Sequence, residues 1–144
     1  MKQHITFSLH QTVCLMDALA DTILKERFNI SYRRFYFLLK LAILPQPTQH
    51  ELTELLGYSD AAVSRMAGQL QEIGLLSVTQ DPHHARRNRL TLTAAGADLV
   101  QKATTTLVAE FDVLMQMNHI ELEQYEATTR RIQQILESKT KGGE

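Results

Sequence analysis

The sequence has a single cysteine, no long apolar run and no surplus of positive charge, and each shortage removes a class of function. One thiol, Cys14, cannot close an intrachain disulfide or build a cysteine-based zinc site, which leaves redox sensing as the cysteine chemistry still open. No stretch approaches the roughly 20 apolar residues that span a bilayer, and Met1-Lys2-Gln3-His4 is not followed by the unbroken apolar segment of a signal peptide. The expected setting is therefore a bacterial-type cytoplasm, with no membrane partner. The six histidines include no pair at helical ligand spacing, so metal sensing is not expected. A nucleophile beside a base, a glycine-rich phosphate loop and converging carboxylates are also missing, which argues against an enzyme and against a cofactor.

What is present fits one soluble domain: 144 residues, 44% hydrophobic and 22% charged. The formal net charge of −1 speaks against nucleic acid when taken as a sum. Its distribution speaks the other way. Between Asp81 and Arg89 one acid stands against Arg86, Arg87 and Arg89, with His83 and His84 beside them, while Glu121, Glu123 and Glu126 lie near the C-terminal end.

Periodicity divides the chain into helices around a short hairpin. Ile5, Leu9, Val13, Met16, Leu19, Ala20 and Ile23 recur at three- and four-residue steps and predict one amphipathic helix over 5–28. Ser31 can cap a second, with Phe35, Leu38, Leu39 and Ala42 inward and Pro45 and Pro47 beyond its end. Thr48-Gln49-His50-Glu51 is a capping box that starts a short helix burying Leu52, Leu55 and Leu56, which Gly57 ends by supplying a positive φ. Ser59 caps the next helix, which buries Ala62, Val63, Met66, Leu70 and Ile73 and stops at Gly74. Two short helices joined by about three residues make a helix-turn-helix. The period then becomes two: Leu76 and Val78 alternate with Ser77 and Thr79, and Leu90 and Leu92 with Arg89 and Thr91. The segment from Asp81 to Asn88 is too long and charged for a tight turn and is expected as a projecting loop, a wing. Thr93 caps a long helix from Ala94 to about Met117, with Leu99 or Val100, Ala103, Leu107, Phe111 and Leu114 on one side, and Asn118 breaks it. A last helix over about 120–137 spaces Leu122, Tyr125, Ile132 and Leu136 as in a coiled coil, and the polar end from Lys139 is expected to fray.

The fold class expected is mainly α: six helices and a two- to three-stranded β-hairpin in a winged helix-turn-helix. The core is expected over 31–93, the dimerisation helices over 1–30 and 94–140, and a frayed tail over 141–144. A compact core cannot cover three long amphipathic helices. At about 25 cal/mol per Å² of apolar area, several uncovered Leu, Ile and Phe side chains amount to several kcal/mol, enough to drive a twofold homodimer through the first, fifth and sixth helices.

The run from Thr48 to Gly96 resembles the DNA-binding core of the MarR family of bacterial regulators, and the helix order on both sides resembles it too, so the likeness covers nearly the whole chain. It rests on Ser59-Asp60-Ala61-Ala62-Val63-Ser64-Arg65-Met66, then Leu70 with Gly74-Leu75-Leu76, then Asp81-Pro82, Arg86 and Leu92-Thr93-Ala94-Ala95-Gly96. The resemblance implies a dimer on double-stranded DNA, with the second helix of the helix-turn-helix in the major groove and the wing in the adjacent minor groove. The sequence departs from the family pattern twice. His84 stands where the wing commonly has an acid, and Gly68 replaces an acid in the middle of the recognition helix, at a helix cost of about 1 kcal/mol relative to Ala.

The expected DNA-reading face of that helix is Asp60, Ala61, Ser64, Arg65, Gly68 and Gln69, short residues around one long cation. Arg65 can take guanine O6 and N7 or a phosphate, and Ser59, Ser64 and Gln69 are neutral donors. In the wing, Arg86 is the candidate for the narrow minor groove and Arg89 for a phosphate, with Arg87 beside them, and His83 and His84 add charge below about pH 6.5. The plain alternative for both segments is a solvated surface, or a winged-helix module whose arginines meet an acidic protein. Cys14, between Val13 and Leu15 with no basic residue within one helical turn, reads as a small buried hydrophobe sooner than as a peroxide sensor. Tyr32, Arg33, Arg34 and Tyr36 lie where related regulators take small aromatic or anionic effectors. Anchoring of the helix junction is the simpler role for them, and Cys14, Tyr32, Arg33 and Tyr36 are the candidate effector residues. The expected function is a transcriptional regulator, a repressor by family habit, on an inverted-repeat operator.

Overall fold

The structure, a computed structural model, describes residues 4–81 and 84–141, and for residues 84–86 and Lys141 the backbone alone. Six helices and one hairpin follow in the order α1 (Ile5–Phe28), α2 (Tyr32–Ala42), α3 (Gln49–Leu56), α4 (Asp60–Glu72), β1 (Leu76–Asp81), β2 (His84–Leu92), α5 (Ala94–Met117) and α6 (Leu122–Lys141). They form two compact units, Met1–Thr105 and Thr106–Glu144. No described helix is long and apolar enough to cross a membrane.

Local signals set the helix boundaries. The Ser31 hydroxyl accepts from the Arg34 amide, Ser59 from Ala62, and Thr93 from Gly96, each satisfying an amide that has no partner within its helix. At Thr48 the full reciprocal box forms: the Glu51 amide donates to the Thr48 hydroxyl at 3.2 Å while the Glu51 carboxylate accepts from the Thr48 amide at 2.7 Å. Gly57 (φ 65°) ends α3, and Gly74 (φ 77°) follows Ile73, the C-cap of α4. Asn29 takes the left-handed conformation at the end of α1.

The core of the first unit is centred on α2. Phe37, Leu38, Leu24, Leu52, Leu70, Leu76, Leu90 and Val63 are fully buried, and each large side chain removed from water contributes about 1.5–3 kcal/mol. The sequence pattern places Leu39 and Ala42 on the inner face of α2, but Phe37 and Leu41 are buried instead, Leu39 is half-buried and Ala42 is exposed. A helix covered on more than one side does not show a single 3.6-residue stripe, which explains the difference. Leu55 (43% exposed) and Ile73 (54%) also lie outside the core, at the last turns of α3 and α4 where the chain turns away. In α5, Val100 rather than Leu99 is buried, with Ala103. Gly96 sits where a Cβ would meet the Leu75 carbonyl oxygen at 1.9 Å, and Thr93 donates both to the Leu75 carbonyl (amide, 3.2 Å) and to the Gly74 carbonyl (hydroxyl, 2.6 Å). The start of α5 is thereby locked onto the α4–β1 connection at backbone contact.

The sheet is the antiparallel pair β1–β2, in register from Leu76 opposite Leu92 to Gln80 opposite Asn88; the register then shifts, so that Asp81 faces His84. The wing is thus a longer ribbon than the sequence pattern suggests: residues 84–88, expected as loop, are strand. The third strand expected in the wing is a single bridge between Thr48 and Arg89, beside a 2.9 Å bond from the Leu90 amide to the Pro47 carbonyl.

In the second unit Asn118 ends α5 as its position predicts, its side-chain amide donating to the Leu114 carbonyl at 2.8 Å, and His119 reverses the chain at φ 56°. Helix α6 continues to Lys141, past the point where fraying is expected from the sequence, with Glu126 and Arg130 paired one turn apart. Residues 142–144 lie outside the described residues.

Candidate nucleic-acid interface

Helix α4 buries Val63, Ala67 and Leu70 and turns the other side outward. Asp60, Ala61, Ser64, Arg65, Gly68 and Gln69 are all exposed, as is the cap Ser59. At helical spacing, 61, 64, 65 and 68 share one stripe. No ion pair holds Arg65 among the described residues, so its guanidinium is available to a ligand. Gln69 is less available: its carbonyl oxygen accepts from Arg34 Nη2 at 3.3 Å, which ties the outer end of α4 to α2. A Cβ added at Gly68 would meet nothing within 4 Å, so this glycine answers no packing demand within the chain.

The wing arginines separate into different roles. Arg87 is exposed on β2. The side chains of His84 and Arg86, and the whole of His83, lie outside the described residues. Arg89, expected to meet a phosphate, is engaged within the chain: Nε and Nη2 approach Asp81 Oδ2 at 3.1 and 3.0 Å, and Nη1 donates to the Gln46 carbonyl at 3.0 Å. The physical reason is the burial of Asp81, whose side chain is 2% exposed; a carboxylate taken out of water needs a cation at contact. In the sequence Asp81 reads as the lone acid of a basic segment and as part of the family resemblance, with no partner assigned to it. The signal that could have found the pair is an acid and a base at the two ends of one hairpin.

The positive segment also reaches α3. The Glu51 carboxyl is held below its ordinary range, first by the Thr48 amide and hydroxyl that donate to it, then by the nearby charges of Arg89 and Arg87.

The candidate effector residues are only partly brought together. Tyr32 and Tyr36 stack with ring centroids 5.8 Å apart, Lys40 lies 5.0 Å over the Tyr36 ring, and Arg33 lies 4.8 Å over Tyr58, an aromatic the sequence reading missed. Tyr32 is clamped to α1 at both ends: its amide donates to Asp21 at 2.8 Å and its phenol to Asp17, and burial foremost, then the Asp17 carboxylate, pushes the phenol far above its ordinary value. Anchoring of α2 on α1 is thus the role the geometry gives Tyr32. Cys14 is exposed on α1, not buried as expected, and its sulfur lies 3.7 Å from His10 Nε2, a base one helical turn away that the sequence reading overlooked.

Comparison with known proteins agrees with this architecture. Residues 28–87 match the sequence model described as the MarR family. Over that stretch the chain is similar to the MarR family. Over 94% of this chain and 98% of the other, it superposes on wild-type MarR from E. coli in its apo form with a TM-score of 0.79 at 19% identity. The S. aureus MepR–DNA complex matches over 95% of this chain and 99% of MepR, with a TM-score of 0.77 and 22% identity. A MarR/EmrR family transcriptional regulator from Acinetobacter sp. ADP1 matches over 96% of each chain at 0.76 and 17%. Comparison with curated protein sequences returned no match. The MarR-family match spans α2 to the middle of β2, and so includes α4 and the first part of the hairpin.

Proposed function

We propose that this protein is a transcriptional regulator that binds double-stranded DNA in a sequence-specific manner as a homodimer, acting as a cytoplasmic repressor on an inverted-repeat operator. The observation that carries the reading is the outward face of α4, capped by Ser59 and bearing Ser64 and Arg65, in one MarR-family core with a basic hairpin. Short side chains around one arginine let a helix sit deep in the major groove. Arg86 and Arg87 are the wing residues for the neighbouring minor groove and its phosphates, with His84 beside them. MepR, which shares the fold, was solved on DNA.

Pairing is supported by what the helices leave in water. Ile5, Phe7, Val13 and Leu15 on α1, Val113 and Met117 on α5, and Ile132, Ile135 and Leu136 on α6 are exposed in the single subunit. A twofold dimer buries such surface and sets two copies of α4 roughly 34–36 Å apart, one turn of duplex. Release by a small aromatic or anionic effector at the Tyr32, Arg33 and Tyr36 cluster is the finer part of the proposal, supported by the stacked rings and flanking cations.

The test is duplex selection from random DNA, followed by affinity measured across salt. Wild-type protein is expected to lose affinity steeply as salt rises while keeping its preference for the selected site. Arg65→Ala is expected to weaken that site by about 1–3 kcal/mol and to relax the preference at one position of each half-site. Equal binding by Arg65→Ala, or indifference of the wild type to every duplex at low salt, would overturn the reading.

A further inference from the structure

We propose that Arg89 is the positioning residue of the wing, a clasp that fixes the hairpin against the helix-turn-helix, and that it is not itself a phosphate contact; the inference rests on the DNA-binding reading above. Three of the five guanidinium N–H groups are committed within the chain, two toward Asp81 Oδ2 and one to the Gln46 carbonyl. The side chain is two-thirds covered, at 34% exposure, and its acid partner is buried. These contacts join three segments. Asp81 is the last residue of β1, Arg89 belongs to β2, and Gln46 lies in the α2–α3 connection just before the Thr48 cap of α3.

The main chain reinforces the same junction. Thr48 bridges to Arg89, the Leu90 amide donates to the Pro47 carbonyl, and Gln46 sits at φ 49°, a left-handed conformation uncommon outside glycine that its carbonyl bond to Arg89 helps to hold. A two-stranded ribbon is marginal by itself, and its direction is set by what grips its base. Here that grip runs to the first helix of the helix-turn-helix, and the Arg89 guanidinium is the side chain that joins all three segments of it.

Charge alone and the clasp predict opposite outcomes for Asp81. Removing an acid beside the duplex strengthens DNA binding if only charge matters; it weakens binding if the acid holds the wing in place. The experiment uses the full chain, the duplex selected for the wild type, and temperatures far below the unfolding midpoint of each variant. Asp81→Asn and Arg89→Gln are each expected to bind between about two- and thirtyfold more weakly, with the slope of log affinity against log salt as in the wild type. Arg87→Gln, which removes a proposed phosphate contact, is expected to lower that slope by about one. Tighter binding by Asp81→Asn, or an Arg89→Gln slope reduced by about one, would overturn the proposal.

Arg89→Lys covers the case in which Asp81→Asn does not fold. Lysine keeps the charge but lacks the planar fork, so the clasp predicts loss and a phosphate contact predicts near-wild-type binding. Amide exchange separates the clasp from the DNA reading, since it needs no duplex. Amides of β1 are expected to exchange faster in Arg89→Gln while those of α2 keep their protection; unchanged β1 amides would refute the clasp even if DNA binding holds, and failure of the wild type on every duplex would refute the DNA reading alone.

Discussion

Gly68 is the residue at which stability and surface shape part company. It occupies a helix interior, faces outward, and has open space where a Cβ would stand. Gly68→Ala is therefore expected to raise stability by about 0.5–1 kcal/mol, read as a shift of the urea midpoint with an unchanged slope; a lower midpoint would show that the helix relies on the bare backbone there. The same scale shows which residue roles are legible from sequence. Ser31, Thr48, Ser59 and Thr93 act on amides three positions away, so their roles follow from neighbours alone. Arg89 and Gln69 take partners 43 and 35 positions away, in Gln46 and Arg34, and nothing in the local pattern points to those contacts. Gly96 belongs with them: it reads as part of a resemblance, and the backbone of Leu75 supplies the reason.

Among the elements, α3 carries a pH-dependent cap. Its cap depends on an ionised Glu51, whose folded-state value lies below the ordinary 4.5 because Thr48 donates to the carboxylate twice. A carboxyl depressed on folding contributes stability that is fully present above its unfolded value and is lost as pH falls through the folded one. Between pH 7 and about 3.5 the wild type is thus expected to lose more stability than Glu51→Gln, which keeps a hydrogen-bonding cap but does not titrate there; equal losses in parallel urea titrations would remove Glu51 from the account. Element existence was readable because α2 to α5 carry their own start and stop signals, while α1 and α6 rest on periodicity. Element burial was less so: α2 is enclosed on several sides, which hides Phe37 and Leu41 from a one-stripe pattern, and the wing strand reaches back to His84 because pairing across the hairpin, not local propensity, sets its length.

At the scale of the whole molecule the apolar side chains left outside on α1, α5 and α6 set the expectation of pairing. Replacing Ile132 and Leu136, both exposed on α6, with glutamate is expected to leave helix content intact, to give a single-chain species by sedimentation, and to abolish operator binding, because one subunit reads only half of an inverted repeat. A doubly substituted chain that still sediments as a pair would place the contact elsewhere.

Cys14 turns that expectation into something that can be watched. The chain has one sulfhydryl to label, it lies on the outside of α1, and a maleimide dye can therefore mark each subunit once. If association covers α1, dye uptake slows as the solution is concentrated and recovers on dilution, so the reaction rate becomes a direct titration of assembly; uptake indifferent to concentration would put this helix outside the contact.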